Sequence, residues 1–182
     1  MSVSTLVGIR ESGEHCYALE LRNSWGSAPL VWNALAMKYL GKGDYQGLDC
    51  VEDIVPALND ADAPRHHCIL MALTFNRCVV TRKDFSEVAE AIDEFLVDFP
   101  VPGDRVNHWP TIARFFRETD EEAVGIWHTS VSESPYDVWD EDMDESTPVP
   151  IGGLFDVIEA VTEPRAGSRV RLEIEESKNI DK

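Results

Sequence analysis

Alternation of apolar and polar positions marks the start of the chain. Residues 3–9 (VSTLVGI) and 14–22 read as two β-strands joined by a turn at Ser12-Gly13-Glu14. In the second strand Cys16 and Ala18 interleave with Tyr17, Leu19 and Leu21, and Glu20 and Arg22 alternate outward. From Ser27 the pattern changes to a helical one, with Pro29 in the first turn, where its missing N–H does no harm. Leu30, Val31, Ala34, Leu35, Met37 and Leu40 form the apolar side and Gly41 ends the helix. Residues 48–58 carry a short helical pattern interrupted by Pro56.

Residues 67–80 (HCILMALTFNRCVV) are nearly all apolar, so periodicity alone does not separate a buried strand from a buried helix. The β-branched end and the short length favour strand. The clearest element follows. Asp84 and Glu87 have capping-box spacing, and Phe85, Val88, Ile92, Phe95, Leu96 and Phe99 recur at helical intervals until Pro100 and Pro102 stop the run. A further helix is predicted over 109–117, with Pro110 near its start. Residues 123–131 predict a strand, 154–161 a short strand or helix, and 168–176 a strand. Strands and helices without a regular βαβ rhythm predict an α+β fold. The expectation is one domain over residues 1–182: an N-terminal β-hairpin, three to four helices, and further strands in a mixed or antiparallel sheet. An exposed acidic loop is expected at 132–150 and a frayed C-terminus at 177–182.

Charge changes this picture. The chain of 182 residues carries 34 Asp and Glu against 16 Lys and Arg, net −18. That balance argues against holding nucleic acid or an anionic membrane through a basic surface. The excess is also localised: residues 84–145 hold 18 acids and only Arg105, Arg114 and Arg117, net −15. On the predicted helix over 84–98, Glu87, Glu90, Glu94 and Asp98 fall opposite the apolar stripe and line up over ~16 Å at ~1.5 Å rise per residue. Like charges at i,i+4 weaken a helix by a few tenths of a kcal/mol per pair, so the row carries an electrostatic cost. A second acidic cluster, 137–145 (DVWDEDMDE), is interleaved with aromatics. Tyr136, Asp137, Trp139, Asp140, Glu141, Asp142 and Asp144 are candidate partner-binding residues there, because aromatic anchors in a charged loop are typical hot spots. As a calcium loop the segment fails. With Asp140, Asp142 and Asp144 at the first three ligand positions, Glu145 stands where Gly is needed and Ile151 where a bidentate Glu is needed.

Enzymatic signatures are missing. The sequence has no GxxxxGK[ST], no GxGxxG after a strand, no GxSxG and no HExxH. Cys16, Cys50, Cys68 and Cys78 read as reduced thiols in a cytoplasmic protein, since the N-terminus shows no export signal. No apolar run approaches the ~20 residues of a membrane span. His66, His67, Cys68 and Cys78 lie close together but lack paired-ligand spacing. The adjacent histidines are expected to point apart, so neither metal nor cofactor is expected. The best nucleophilic pair would be Cys50 or Cys78 with His128. The leading expectation is a non-enzymatic acidic binding or inhibitor protein that occupies a basic site on a partner protein, often a site built for nucleic acid. Duplex DNA presents one negative charge per ~1.7 Å of axis, so a carboxylate row competes for the same Lys and Arg. Phage and mobile-element antagonists of defence nucleases, and nuclease-immunity proteins, offer an analogy of charge and size. The competing expectation is a cysteine- or metal-dependent cytosolic enzyme.

Overall fold

The structure is a computed structural model that describes residues 2–75, 78–120, 122–129, 136–140, 145–148, 154–162 and 171–172. The alternating N-terminal segments form strands β1 (Val3–Ile9) and β2 (His15–Arg22), paired antiparallel as a hairpin. Next come helices α1 (Ala28–Leu40), α2 (Val51–Asp60) and α3 (Arg65–Leu73), then strand β3 (Cys78–Thr81). Helices α4 (Phe85–Asp98) and α5 (Trp109–Glu118) follow, and β4 (Gly125–Thr129) returns to the sheet. Later elements are β5 (Tyr136–Asp140), β6 (Glu145–Pro148), β7 (Phe155–Asp156), α6 (Val157–Ala160), β8 (Val161–Thr162) and β9 (Arg171–Leu172). The five-stranded sheet has the order β2-β1-β4-β3-β7, antiparallel except for the β3–β7 pair. The fold is α+β with a mixed sheet.

The period of two divides the sheet's side chains between its faces. Leu6, Cys78, Val80 and Ile126 join the large core under the helices, whereas Ile9, Val79 and Trp127 form a small cluster with Leu154. Asn59 extends a two-stranded ladder from the side. Its Oδ1 accepts from Leu172 N–H at 2.8 Å and its Nδ2 donates to Leu172 O at 3.1 Å.

Four expectations need correction. Six α-helices stand among the described residues where three to four were expected, since α3 and the four-residue α6 give no helical period in the sequence. Residues 65–73 are helical, and only Cys78–Thr81 of the apolar run is strand. Pro64 begins α3, and every residue from His67 to Leu73 is buried, so no polar face gives the helix away. The capping box does not form. Asp84 Oδ2 accepts from Thr81 Oγ1 at 3.0 Å, and Glu87 Oε1 accepts from Arg65 Nε at 2.8 Å, because partners on neighbouring elements take both side chains. The expected loop at 132–150 contains an antiparallel ladder, with Tyr136 opposite Pro148 and Asp140 opposite Glu145. Tyr, Val and Trp favour that extended pairing. The expected frayed segment 177–182 lies outside the described residues, as does most of the strand expected over 168–176.

Candidate functional site

The outer face of α1 is not covered by the core. Val31, Leu35 and Ala36 are buried beneath it, while Leu30, Ala34 and Met37 line a groove of about 800 Å³. The opposite wall is the segment 99–106 after α4, where Pro100 and Pro102 prevent further helix. Two glycines set the walls by close approach. A Cβ on Gly26 would lie 2.7 Å from Val106 Cγ1, and one on Gly47 would lie 2.4 Å from the Trp32 carbonyl carbon. Gly26 O accepts from His108 N–H at 2.9 Å, and Gly47 N–H donates to Asn33 Oδ1 at 2.7 Å. The first contact pins residues 106–108 to the turn before α1, and the second pins the Gly47 loop to α1 itself.

Four of the six large apolar side chains exposed among the described residues line this groove: Trp25, Met37, Tyr45 and Val106. Trp25 and Tyr45 meet edge-to-face at 6.3 Å, and the Arg105 guanidinium lies 4.9 Å from the Tyr45 ring centre. Arg105 also pairs with Asp44, and hydrogen bonding from Arg105 holds the Asp44 carboxyl below the usual range. Tyr45 takes φ 64°, a left-handed conformation that costs a non-glycine residue ~1–2 kcal/mol and turns its ring into the groove mouth. Asp44, Asp98 and Asp104 supply acid at the rim, and Lys38 and Arg105 supply base.

Asp98 joins the groove to a second feature. The first turn of α3 lies across α4, and His66 and His67 both turn their Nε2 atoms to Asp98 Oδ2, at 3.0 and 2.9 Å. The two rings sit 4.5 Å apart and converge on this carboxylate, which corrects the expectation that adjacent histidines point apart. Neighbours on a helix are separated by ~100°, and a carboxylate between them is within reach of both. His67 is fully buried among Tyr39, Phe95 and Phe99. Burial pushes its pKa down to about 4, and the charges of His66 and Lys38 act in the same direction. Neutral His67 has one N–H, and a carboxylate only accepts, so Nε2–H donates to Asp98. Nδ1 then accepts from the Tyr39 hydroxyl at 2.6 Å, whose own pKa burial raises to about 12. His66 Nδ1 faces Glu94 Oε2 at 3.2 Å. Asp98 is held below the ordinary carboxylate range, first by the bond from His66 and then by that from His67.

The carboxylate row on α4 therefore exists but is not bare. Glu87 is bridged to Arg65, and Glu94 and Asp98 face the histidines; Glu90 is exposed and accepts from Ser86 Oγ at 3.3 Å. Tyr136, Asp137, Trp139 and Asp140 lie on strand β5, while Glu141, Asp142 and Asp144 fall outside the described residues. The cysteine–histidine pairs weighed from sequence do not form. Cys50 Sγ bonds to Gln46 O at 3.2 Å, Cys78 Sγ to Ala72 O at 2.8 Å, and His128 Nδ1 donates to Leu73 O at 3.2 Å. Burial raises the Cys78 thiol well above its ordinary value and Cys68 to about 11, which disfavours thiolate chemistry.

Sequence reasoning missed the groove, Tyr39 and the His66–His67–Asp98 cluster. The available signal was His-His at the start of one helix and Asp at the end of another, without the topology that joins them. Among the described residues, no helix is long and apolar enough to cross a membrane. Compared with known protein families, curated proteins and solved structures, the chain matches none.

Proposed function

We propose that this chain is a non-catalytic, cytoplasmic binding protein that seats a basic segment of a partner protein in the groove between α1 and residues 99–106. The observation that carries the reading is the gathering of Trp25, Met37, Tyr45 and Val106 in one groove with Asp44, Asp98 and Asp104 at its rim. Exposed apolar side chains scattered singly need no explanation, but a concave cluster with a polar rim is how binding sites are built. Net charge of −18 supports a cationic occupant, since a field of that sign raises the local concentration of Lys- and Arg-rich segments. Exposed Glu90 carries the same sign on α4, whose Asp93 is paired with Arg117. A partner site that normally holds nucleic acid has the required chemistry, and occupying it would inhibit that partner, as an acidic antagonist does. Four free thiols suit a reducing compartment.

The test uses two labelled peptides of equal apolar content, one alternating Arg with Leu and Phe, the other alternating Glu with Leu and Phe. Fluorescence anisotropy with the full chain should show binding of the basic peptide alone. Trp25→Ala and Tyr45→Ala should each weaken it by about ten-fold, the magnitude of one lost aromatic anchor of ~1.4 kcal/mol. Equal binding of both peptides, or indifference to the two substitutions, refutes the reading.

A further inference from the structure

We propose that His66 Nε2, His67 Nε2 and Asp98 Oδ2 form a three-ligand site for a borderline divalent transition-metal ion of the Zn²⁺ class, with one position left exchangeable. This goes beyond the docking of a basic segment and stands on different observations. The three ligand atoms all lie within 4.8 Å of one another. Two of the three separations, 2.9 and 3.0 Å, are already close to the ~3.3 Å between ligand atoms of a tetrahedral site with ~2.0–2.2 Å bonds. An ion entering between them has to open those pairs by only ~0.3–0.4 Å. Asp98 is the part able to yield, because it is the partly exposed last residue of α4, whereas the histidines are held by packing.

The outer shell is the independent support. A ligating imidazole generally has its other ring nitrogen on a carboxylate, carbonyl or hydroxyl, which fixes the ring and its tautomer. Both histidines meet this requirement: Nδ1 of His66 faces Glu94 Oε2 at 3.2 Å, and Nδ1 of His67 faces the Tyr39 hydroxyl at 2.6 Å. Both Nε2 atoms are thus left to converge on one point. For His67 the proton balance needs no loss to solvent. The Nε2 proton gives way to the ion, Nδ1 takes a proton, and the Tyr39 oxygen changes from donor to acceptor by rotation of its hydroxyl. His66 keeps the Nδ1 proton on Glu94, and the Nε2 proton that it gives to Asp98 passes to solvent as Nε2 coordinates the ion, so binding releases that proton.

Two imidazoles and one carboxylate suit Zn²⁺ and its neighbours in the first transition row, not Mg²⁺ or Ca²⁺, which take oxygen sets. Three protein ligands is also the number retained by zinc sites with an exchangeable fourth position. Water takes that position, beside Asp98, the one ligand that also belongs to the groove wall.

The experiment strips the full chain with a chelator and titrates Zn²⁺ by calorimetry, with Co²⁺ absorption as a spectroscopic readout of nitrogen and oxygen coordination. One Zn²⁺ per chain is expected, with a tetrahedral Co²⁺ spectrum displaced by Zn²⁺. His66→Gln and Asp98→Asn should each weaken Zn²⁺ at least ~100-fold, and Glu94→Gln, which touches only the outer shell, ~10–100-fold. All three positions have solvent-exposed atoms, and circular dichroism confirms folding of each variant before titration. No stoichiometric Zn²⁺, or wild-type affinity in the folded Asp98→Asn and Glu94→Gln variants, overturns the site. In that case the many surface carboxylates account for any binding. The titration contains no partner peptide, so its failure leaves the docking reading untouched.

Discussion

Acid should destabilise this protein through His128 as soon as pH falls below 6.5. His128 lies on β4, fully enclosed, with its ring edge-to-face against Trp109 at 5.7 Å. Its Nδ1–H donates to Leu73 O, and its Nε2 is buried with no hydrogen-bond partner among the described residues. Protonation would place a charged N–H where no acceptor waits, and burial accordingly lowers the pKa from 6.5 to about 4. The folded pKa is depressed below the unfolded one, so the stability associated with neutral His128 is fully present above pH 6.5. As pH falls through 6.5, the unfolded chain takes up a proton that the folded chain refuses. Stability then drops by ~1.4 kcal/mol per pH unit for this group until the folded protein also protonates near pH 4. The total is ~3 kcal/mol, a quarter to a half of the stability of many domains. His67, lowered to about 4 by burial, adds a second proton over the same window, and burial lowers His15 as well, so the wild-type slope should be at least about twice that figure in the upper part of the window. Asp44 and Asp98 act in a separate window. Both are held below the ordinary carboxylate value, so their contribution is lost only as pH falls below about 3.8. Urea unfolding at half-unit steps from pH 7 to pH 4.5 measures the slope. In His128→Gln, which keeps a donor for Leu73 O, the slope should fall by about one proton's worth, whatever the offset in absolute stability. An unchanged slope would falsify the assignment of His128 as a buried neutral base.

Other consequences follow from the same contacts. Glu87→Lys should destabilise by ~1 kcal/mol more than Glu90→Lys in urea titrations, because only Glu87 is bridged to Arg65; equal costs would mean that the bridge contributes nothing. Phe95→Ala, which empties a fully buried site against His67 and Phe99, should cost ~3–5 kcal/mol. Gly47→Ala should cost ~1–3 kcal/mol, because the new Cβ meets the α1 backbone, and should weaken binding of the basic peptide as the Asp44–Tyr45 lip shifts. Raising salt from ~50 to ~500 mM should slow association of the basic peptide far more than it speeds dissociation, whereas Trp25→Ala should act mainly on dissociation. A salt-independent association rate in stopped flow would reduce the acidic surface to a solubility device.

Residues 3–22 and 85–98 were legible from sequence alone, because each is an amphipathic element whose period survives in the one-dimensional pattern. The hairpin, the apolar stripe of α4, the terminating Gly41 and the concentration of charge all follow from local stereochemistry and composition. Element α3 was not legible, since a helix enclosed on all sides has no polar face and so no period. The roles of individual side chains were hidden for a related reason. Leu30, Ala34 and Met37 read as core beside Val31 and Leu35, and only the approach of residues 99–106 leaves some of them in a groove. Glu94 and Asp98 read as a solvated acidic face, and only the crossing of α3 over α4 places two imidazoles against them. Sequence determines which side chains can be apolar, charged or basic along each element. Which of them meet is decided by packing between elements distant in the chain, and no local pattern encodes that.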